Sequence, residues 1–137
     1  PLPFDVEPVA TLKAKLVQVR EVPAGRKVSY SGTWTAPRPS RLALAPLGYA
    51  DGVPWALGNR GCALVRGQRV PIVGRICMDQ LVLDVTDAPR IDEGEEAVFL
   101  GRQGHQQITA MEWADLAGTI SYEVLTRLSP RLPRRII

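Results

Sequence analysis

Cysteine, histidine and aromatic residues are scarce in this chain, which holds two cysteines, one histidine and 6% aromatics in 137 residues. Two thiols do not build the disulfide framework of a small secreted domain, so Cys62 and Cys77 are expected to be reduced. With His105 they match no ligand spacing, and no metal site is expected. A reactive thiolate needs a base or cation beside it; His105, in a glycine turn, has no evident link to either cysteine. No run approaches the length of about 18 apolar residues that a membrane span needs. The start, Pro1-Leu2-Pro3-Phe4-Asp5, lacks a basic region followed by an apolar stretch, so the expectation is a cytoplasmic protein with no membrane partner. A phosphate-cradling loop is missing too. Gly101-Arg102-Gln103-Gly104 is not followed by a helix and reads as a tight hairpin. The formal charge of +3 is spread as isolated arginines up to Arg127, Arg131, Arg134 and Arg135. That reads as a solvated surface or a partner interface. With few aromatics to stack on bases, a nucleic-acid partner is not expected.

What is present is an ordinary globular composition, 45% hydrophobic and 23% charged, at the usual size of one domain with one core. Residues 1–9 carry three prolines and read as an extended interdomain lead-in, leaving 10–137 as the folded domain. A start at Pro1 without methionine is what a processed or excised piece shows. From Leu12 to Leu16 apolar residues alternate with Lys13 and Lys15, then Val17 and Val19 shift the phase, as in a strand that bulges or changes faces. Short runs follow at Lys27 to Tyr30, Arg41 to Ala45, Cys62 to Val65, Arg69 to Val73, Ile76 to Val85, Glu96 to Leu100 and Gln106 to Ile108. Gly, Pro, Asp and Asn punctuate them. The expected class is mainly β: a closed or partly open barrel of about eight short strands with one or two short helices. One helix is marked by the capping-box spacing Thr109-Ala110-Met111-Glu112 and the stop Gly118, with Trp113, Leu116 and Ala117 toward the core. The stretch from Ser121 to Leu128 is open between strand and helix.

All three tyrosines sit in short polar or glycine-flanked segments, Val28-Ser29-Tyr30-Ser31-Gly32, Gly48-Tyr49-Ala50-Asp51-Gly52 and Thr119-Ile120-Ser121-Tyr122-Glu123. A packing tyrosine lies among apolar neighbours, whereas one beside a turn presents its hydroxyl to a cleft. Phenols titrate near pH ~10, so one that serves as a base near neutrality needs neighbours that favour phenolate by roughly 1.4 kcal/mol per unit. Taken singly, each tyrosine also fits a structural role, as a strand-end or turn residue with a satisfied hydroxyl. Cys77-Met78-Asp79 opens an alternating run in which Cys77, Leu81 and Leu83 share one face and Met78 and Val82 the other.

In order, VSYSGTWTA, PLGYADGVPWALGNRG, VPIVGRICMDQLVLDVTD and TISYEVLTRLSPRLPR resemble the carboxy-terminal domain of bacterial alanine racemase, over about Thr11 to Pro133. The resemblance implies an enzyme interconverting L- and D-alanine. A preceding (β/α)8 barrel holds pyridoxal phosphate on a lysine, and this β-barrel domain completes sites shared across a homodimer. Racemisation removes a proton from one face of the α-carbon and returns one to the other, so it needs groups on both sides. By the resemblance Tyr30 is the acid/base on one face, reaching the cofactor of the opposite subunit. Tyr49 narrows the substrate's approach, the Met78 amide contacts the substrate carboxylate with Cys77 and Asp79 beside it, and Tyr122 lies near the cofactor phosphate. Ser31, Trp34 and Ser121 depart from commoner family residues without removing a proposed hydroxyl. None of Lys13, Lys15 and Lys27 lies in a motif like the family's cofactor-lysine segment, so no covalent attachment of the cofactor, and no activity, is expected of this chain alone. Two alternatives are a non-catalytic β-barrel interaction module and the equivalent domain of a broad-specificity amino-acid racemase.

Overall fold

A computed structural model describes residues 3–137; Pro1 and Leu2, the first two residues of the expected lead-in, lie outside the described residues. Ten strands and two helices occur among them: β1 Leu12–Lys15, β2 Gln18–Val22, β3 Lys27–Val28, β4 Trp34–Thr35, β5 Ser40–Ala45, β6 Cys62–Val65, β7 Gln68–Val73, β8 Leu81–Asp84, β9 Glu96–Gln103, β10 Gln106–Ile108, α1 Ala110–Ala117 and α2 Ser121–Thr126. The main sheet runs β1-β9-β6-β7-β8-β5-β2, with β10 added to β9 and β3-β4 forming a separate two-stranded ladder.

The two ends of that sheet are consecutive pieces of chain. The Leu16 amide donates to Glu95 beside β9, and the next amide, Val17, donates to Leu44 of β5. One strand thus leaves one edge of the sheet and joins the other, which is the physical content of the phase shift at Val17. Covalent continuity, not a ladder between β1 and β2, closes the sheet into a partly open barrel. The bulge expected here lies between Leu12 and Lys13.

Inside are Leu16, Leu64, Ile72, Leu83 and Phe99, with Trp113 of α1 buried in the same cluster. A second, smaller cluster of Val22, Val28, Ala36, Leu42 and Val73 lies apart from it. The expected single core is therefore a main core plus a satellite. β5 shows why: its consecutive residues Leu42 and Ala43, on opposite faces of the strand, are both buried, because the β3-β4 flap, through Val28 and the adjoining Ala36, shares the satellite cluster with Leu42.

Hairpin chemistry follows the sequence. Arg66 and Gly67, both at positive φ, join β6 to β7 in the two-residue pattern whose twist matches the strands. Gly104 and His105 turn β9 into β10, although Gly101 to Gln103 belong to β9 itself. Thr109 caps α1 by accepting from the Glu112 amide, and Gly118 closes it at φ 71°. Only half of the capping box forms. The Glu112 carboxylate is drawn instead to Arg69, 2.5 Å away. The segment left open, Ser121 to Leu128, forms α2 and the turn after it.

Two strand expectations fail. Ile76 to Gln80 is a loop, and β8 starts only at Leu81, because the carbonyls of Cys77 and Met78 serve a neighbouring loop and not a ladder. The strand at Lys27 stops at Val28, and Tyr30 sits in a 3-10 turn beyond it.

Candidate functional site

Tyr30 stands at the tip of the β3-β4 flap, 70% exposed. Around it the backbone is strained: Ser29 (φ 65°, ψ −176°) occupies a region nearly restricted to glycine, and Ser31 (φ 61°) is left-handed. Such conformations cost about 1–3 kcal/mol each and persist only where surroundings enforce them. The enforcement is visible. The Ser29 hydroxyl donates to the Arg75 carbonyl at 2.6 Å and lies 3.7 Å from the Cys77 sulfur. Gly74 leaves no room for a Cβ, which would meet the Ser29 side chain at 2.6 Å. Asn59 completes the mooring, accepting from the Gly74 amide at 2.6 Å and donating to the Thr33 hydroxyl at 3.0 Å.

Tyr49 is held against the loop that carries Cys77 and Met78. The Tyr49 amide donates to the Cys77 carbonyl and the Ala50 amide to the Met78 carbonyl, each at 3.0 Å. Met78 is exposed, and no main-chain acceptor takes its amide among the described residues. That leaves one N–H free beside the Tyr49 loop.

Asp51 locks this arrangement. Only 5% exposed, it accepts from the Gly48 amide at 2.8 Å and from Arg131 Nε at 2.7 Å. The other end of the same guanidinium reaches Asp79 at 2.5 Å. Hydrogen bonds donated to Asp51, then to Asp79, hold the Arg131 guanidinium firmly protonated, above its ordinary range. The Ser129 amide adds a bond to the Asp51 carbonyl, so the segment after α2 is tied to both loops.

Beside Tyr49 runs a groove of about 340 Å³ lined by Val53, Pro54, Trp55 and Arg127, with the Arg75 guanidinium over the Trp55 ring at 5.5 Å. Tyr122 lies on the exposed side of α2, 76% accessible, and its neighbour Glu123 lines the adjoining groove with Trp55 and Arg127.

The structure therefore gathers Tyr30, Tyr49, Cys77, Met78 and Asp79 through three moored loops, with Tyr122 on the neighbouring helix and joined to them by no hydrogen bond among those found. Reasoning from the residues missed Ser29, Asn59, Asp51 as a buried acceptor, and Arg131, which read as part of a solvated basic tail. Arg131 and Asp51 are 80 positions apart, and no local signal joins them.

Elsewhere, Arg69 holds Glu112 and approaches the Cys62 sulfur at 3.1 Å. Burial nonetheless pushes the Cys62 thiol up, the nearby Arg69 cation opposing it. That is the reverse of an activated nucleophile. Among the described residues no cluster of three His, Cys, Asp or Glu could hold a metal, and no helix is long and apolar enough to cross a membrane.

For pyridoxal phosphate, the chain offers exposed phenols and a free amide but no anchoring amine. Lys13 pairs with Glu96 at 3.1 Å, the Lys27 stem lies against Gly32, and no lysine lines the grooves beside the tyrosines. The residues fit one half of such a site.

The family described as alanine racemase, C-terminal domain, matches residues 9–136. The alanine racemase of Carboxydothermus hydrogenoformans is 51% identical over 129 residues, covering 94% of this chain and 35% of the relative. Among solved structures, alanine racemase from Bartonella henselae with covalently bound pyridoxal phosphate superposes with a TM-score of 0.90 at 34% identity, covering 100% of this chain and 37% of that one. Alanine racemase from Bacillus anthracis with bound L-Ala-P gives 0.88 at 38% identity, covering 93% and 32%. The chain spans about a third of the length of the curated relatives it matches, and with its partly open barrel and moored tyrosine loops it belongs to the alanine racemase C-terminal domain family.

Proposed function

We propose that this chain is the domain of an alanine racemase that supplies one acid/base and the walls of the substrate's approach, in a homodimer whose subunits each carry a preceding (β/α)8 barrel. Pyridoxal phosphate, held on a lysine of that barrel, supplies the electron sink that makes an amino acid's α-proton removable. Tyr30 takes or returns that proton at its phenol oxygen on one face, in the site of the opposite subunit. A flap tip is suited to this work, because mooring at Ser29 and Gly74 fixes the ring's base while the hydroxyl stays open to a partner. The Met78 amide orients the carboxylate, Cys77 and Asp79 shape its loop, Tyr49 narrows the approach, and Tyr122 meets the cofactor's phosphate end.

The observation that carries this reading is the strained, enforced turn that displays Tyr30, in a chain of this family. Strain held in place by its surroundings clusters at active sites and ligand clamps. The test is Tyr30→Phe in the full-length protein, following L-to-D and D-to-L alanine interconversion. Loss of an acid/base group should cost about 10²- to 10⁴-fold in turnover. Unchanged turnover would remove Tyr30 from the chemistry. Equal turnover of several other amino acids would point to a broad-specificity racemase instead.

A further inference from the structure

The segment after α2 is packed hard against the Tyr49 loop. A Cβ on Gly52 would meet the Arg127 carbonyl oxygen at 2.4 Å, and the Ser129 amide donates to the Asp51 carbonyl at 3.0 Å. The Arg131 amide donates in turn to the Ser129 hydroxyl at 3.2 Å, so the base of the Arg131 side chain is fixed before its guanidinium is engaged. That guanidinium then spans two loops, with Nε reaching Asp51 at 2.7 Å and its other end reaching Asp79 at 2.5 Å. Asp51 belongs to the Tyr49 loop, and Asp79 follows Met78 directly. One planar fork therefore sets the spacing of the two loops, which a compact charge on a flexible stem cannot do.

What the fork holds in place is one peptide. The Cys77 carbonyl and the Met78 N–H are the two ends of a single planar unit and, in the trans form, point in opposite directions; no peptide among the described residues is cis. The Tyr49 amide donates to that carbonyl at 3.0 Å, and the Ala50 amide to the next one, of Met78, at the same distance. The Met78 N–H is thus aimed away from the donor on the Tyr49 loop, and a hydrogen bond accepted at one end of a peptide strengthens the donor at the other. Its direction is only as fixed as the distance between the two loops.

We infer that Arg131 is a positioning residue: by clamping Asp51 to Asp79 it holds the Tyr49 loop on the Met78 loop, and so aims the Met78 N–H at an incoming carboxylate. It acts through the Met78 peptide and not by contact with the reacting atoms. This rests on the racemase reading, in which that amide meets the carboxylate of the amino acid. The carboxylate itself is unchanged by racemisation, so the contact is the same before and during proton transfer. Losing the clamp therefore weakens the binding of both enantiomers and leaves the chemistry at Tyr30 alone.

The test is Arg131→Lys in the full-length protein loaded with pyridoxal phosphate, a change that keeps the charge but cannot bridge both carboxylates. KM for L-alanine and for D-alanine should each rise at least about fivefold, with kcat held within about twofold. An unchanged KM, or a loss confined to kcat, would overturn the inference. Asp79→Ala opens the same clamp at its exposed end, where the carboxylate side chain is 61% accessible, and leaves the buried Asp51 bond in place. It should give the same split with a rise in KM of at least about twofold, and an unchanged KM there would count equally against the clamp. Hydrogen exchange supplies a readout that needs no turnover: in Arg131→Lys the Tyr49 and Ala50 amides should exchange at least about tenfold faster, and unchanged exchange would overturn the inference. An unsubstituted protein that leaves alanine untouched would sink the racemase reading, while faster exchange in Arg131→Lys would still establish the clamp.

Discussion

Asp51 shows how much of this site depends on one buried carboxylate. It takes two donors, the Gly48 amide and Arg131 Nε, from elements far apart in the chain. Removing it by Asp51→Ala strands the Gly48 amide, and an unsatisfied buried donor costs about 1–3 kcal/mol. Arg131 would keep Asp79 but lose its grip on the Tyr49 loop. The expected result is a lower urea midpoint with an unchanged slope, because the compactness of the unfolded chain is not altered. An unchanged midpoint would mean that Asp51 is ornamental. At this scale the sequence was legible where chemistry is local. The Tyr49 loop and Ser29, the residue before Tyr30, are both hydrogen-bonded to the stretch from Arg75 to Met78. Asp51-Gly52 was readable as a turn, but the carboxylate's burial was not, since its cation arrives from 80 residues downstream. Ser29 was legible only as a small neighbour of Tyr30. Its role as a mooring depends on a carbonyl 46 positions away.

Among the elements, the closest approach in the site is that of the Tyr49 loop to the loop after Gly74. A Cβ on Gly48 would fall inside contact distance of the backbone of Cys77 and Met78, and backbone cannot rotate away. Gly48→Ala should therefore cost about 1–3 kcal/mol, the usual range for overpacking, and push the Met78 loop off its position. Gly118→Ala is the fair comparison. That glycine is left-handed at φ 71° but has open space around it, so the change should cost only about 1 kcal/mol. Thermal unfolding of both variants ranks them, and equal losses would show that the approach at Gly48 is not tight. The elements most legible in sequence were those with strong local punctuation: the β6-β7 and β9-β10 hairpins and α1 between Thr109 and Gly118. The Ile76 to Gln80 stretch was misread as strand because its apolar alternation matches β8, while its carbonyls are spent on Tyr49 and Ala50. The flap was legible only in its first strand, the run from Lys27, and β4 was not. Strands of two residues carry no period, and only tertiary cover over Leu42 makes Val28 and Ala36 core residues.

On the scale of the whole molecule, a partly open barrel with its phenols turned outward is built to complete something else. If Tyr30 serves the opposite subunit while the cofactor lysine stays in its own barrel, two inactive full-length variants can repair each other. Let one subunit carry Tyr30→Phe and its partner a substitution of the barrel lysine. In the hybrid dimer one site has lost both groups, and the other has an intact lysine from the first subunit and an intact Tyr30 from the second. Random pairing of equal amounts makes half the dimers hybrid, each with one working site of two, so activity should return to about a quarter of the unsubstituted enzyme's. If Tyr30 instead served its own barrel, each hybrid site would lack one group and no activity would return. The measurement is alanine interconversion after co-refolding or subunit exchange, compared with each variant alone. Recovery places the flap across the dimer, and its absence places the flap within one subunit.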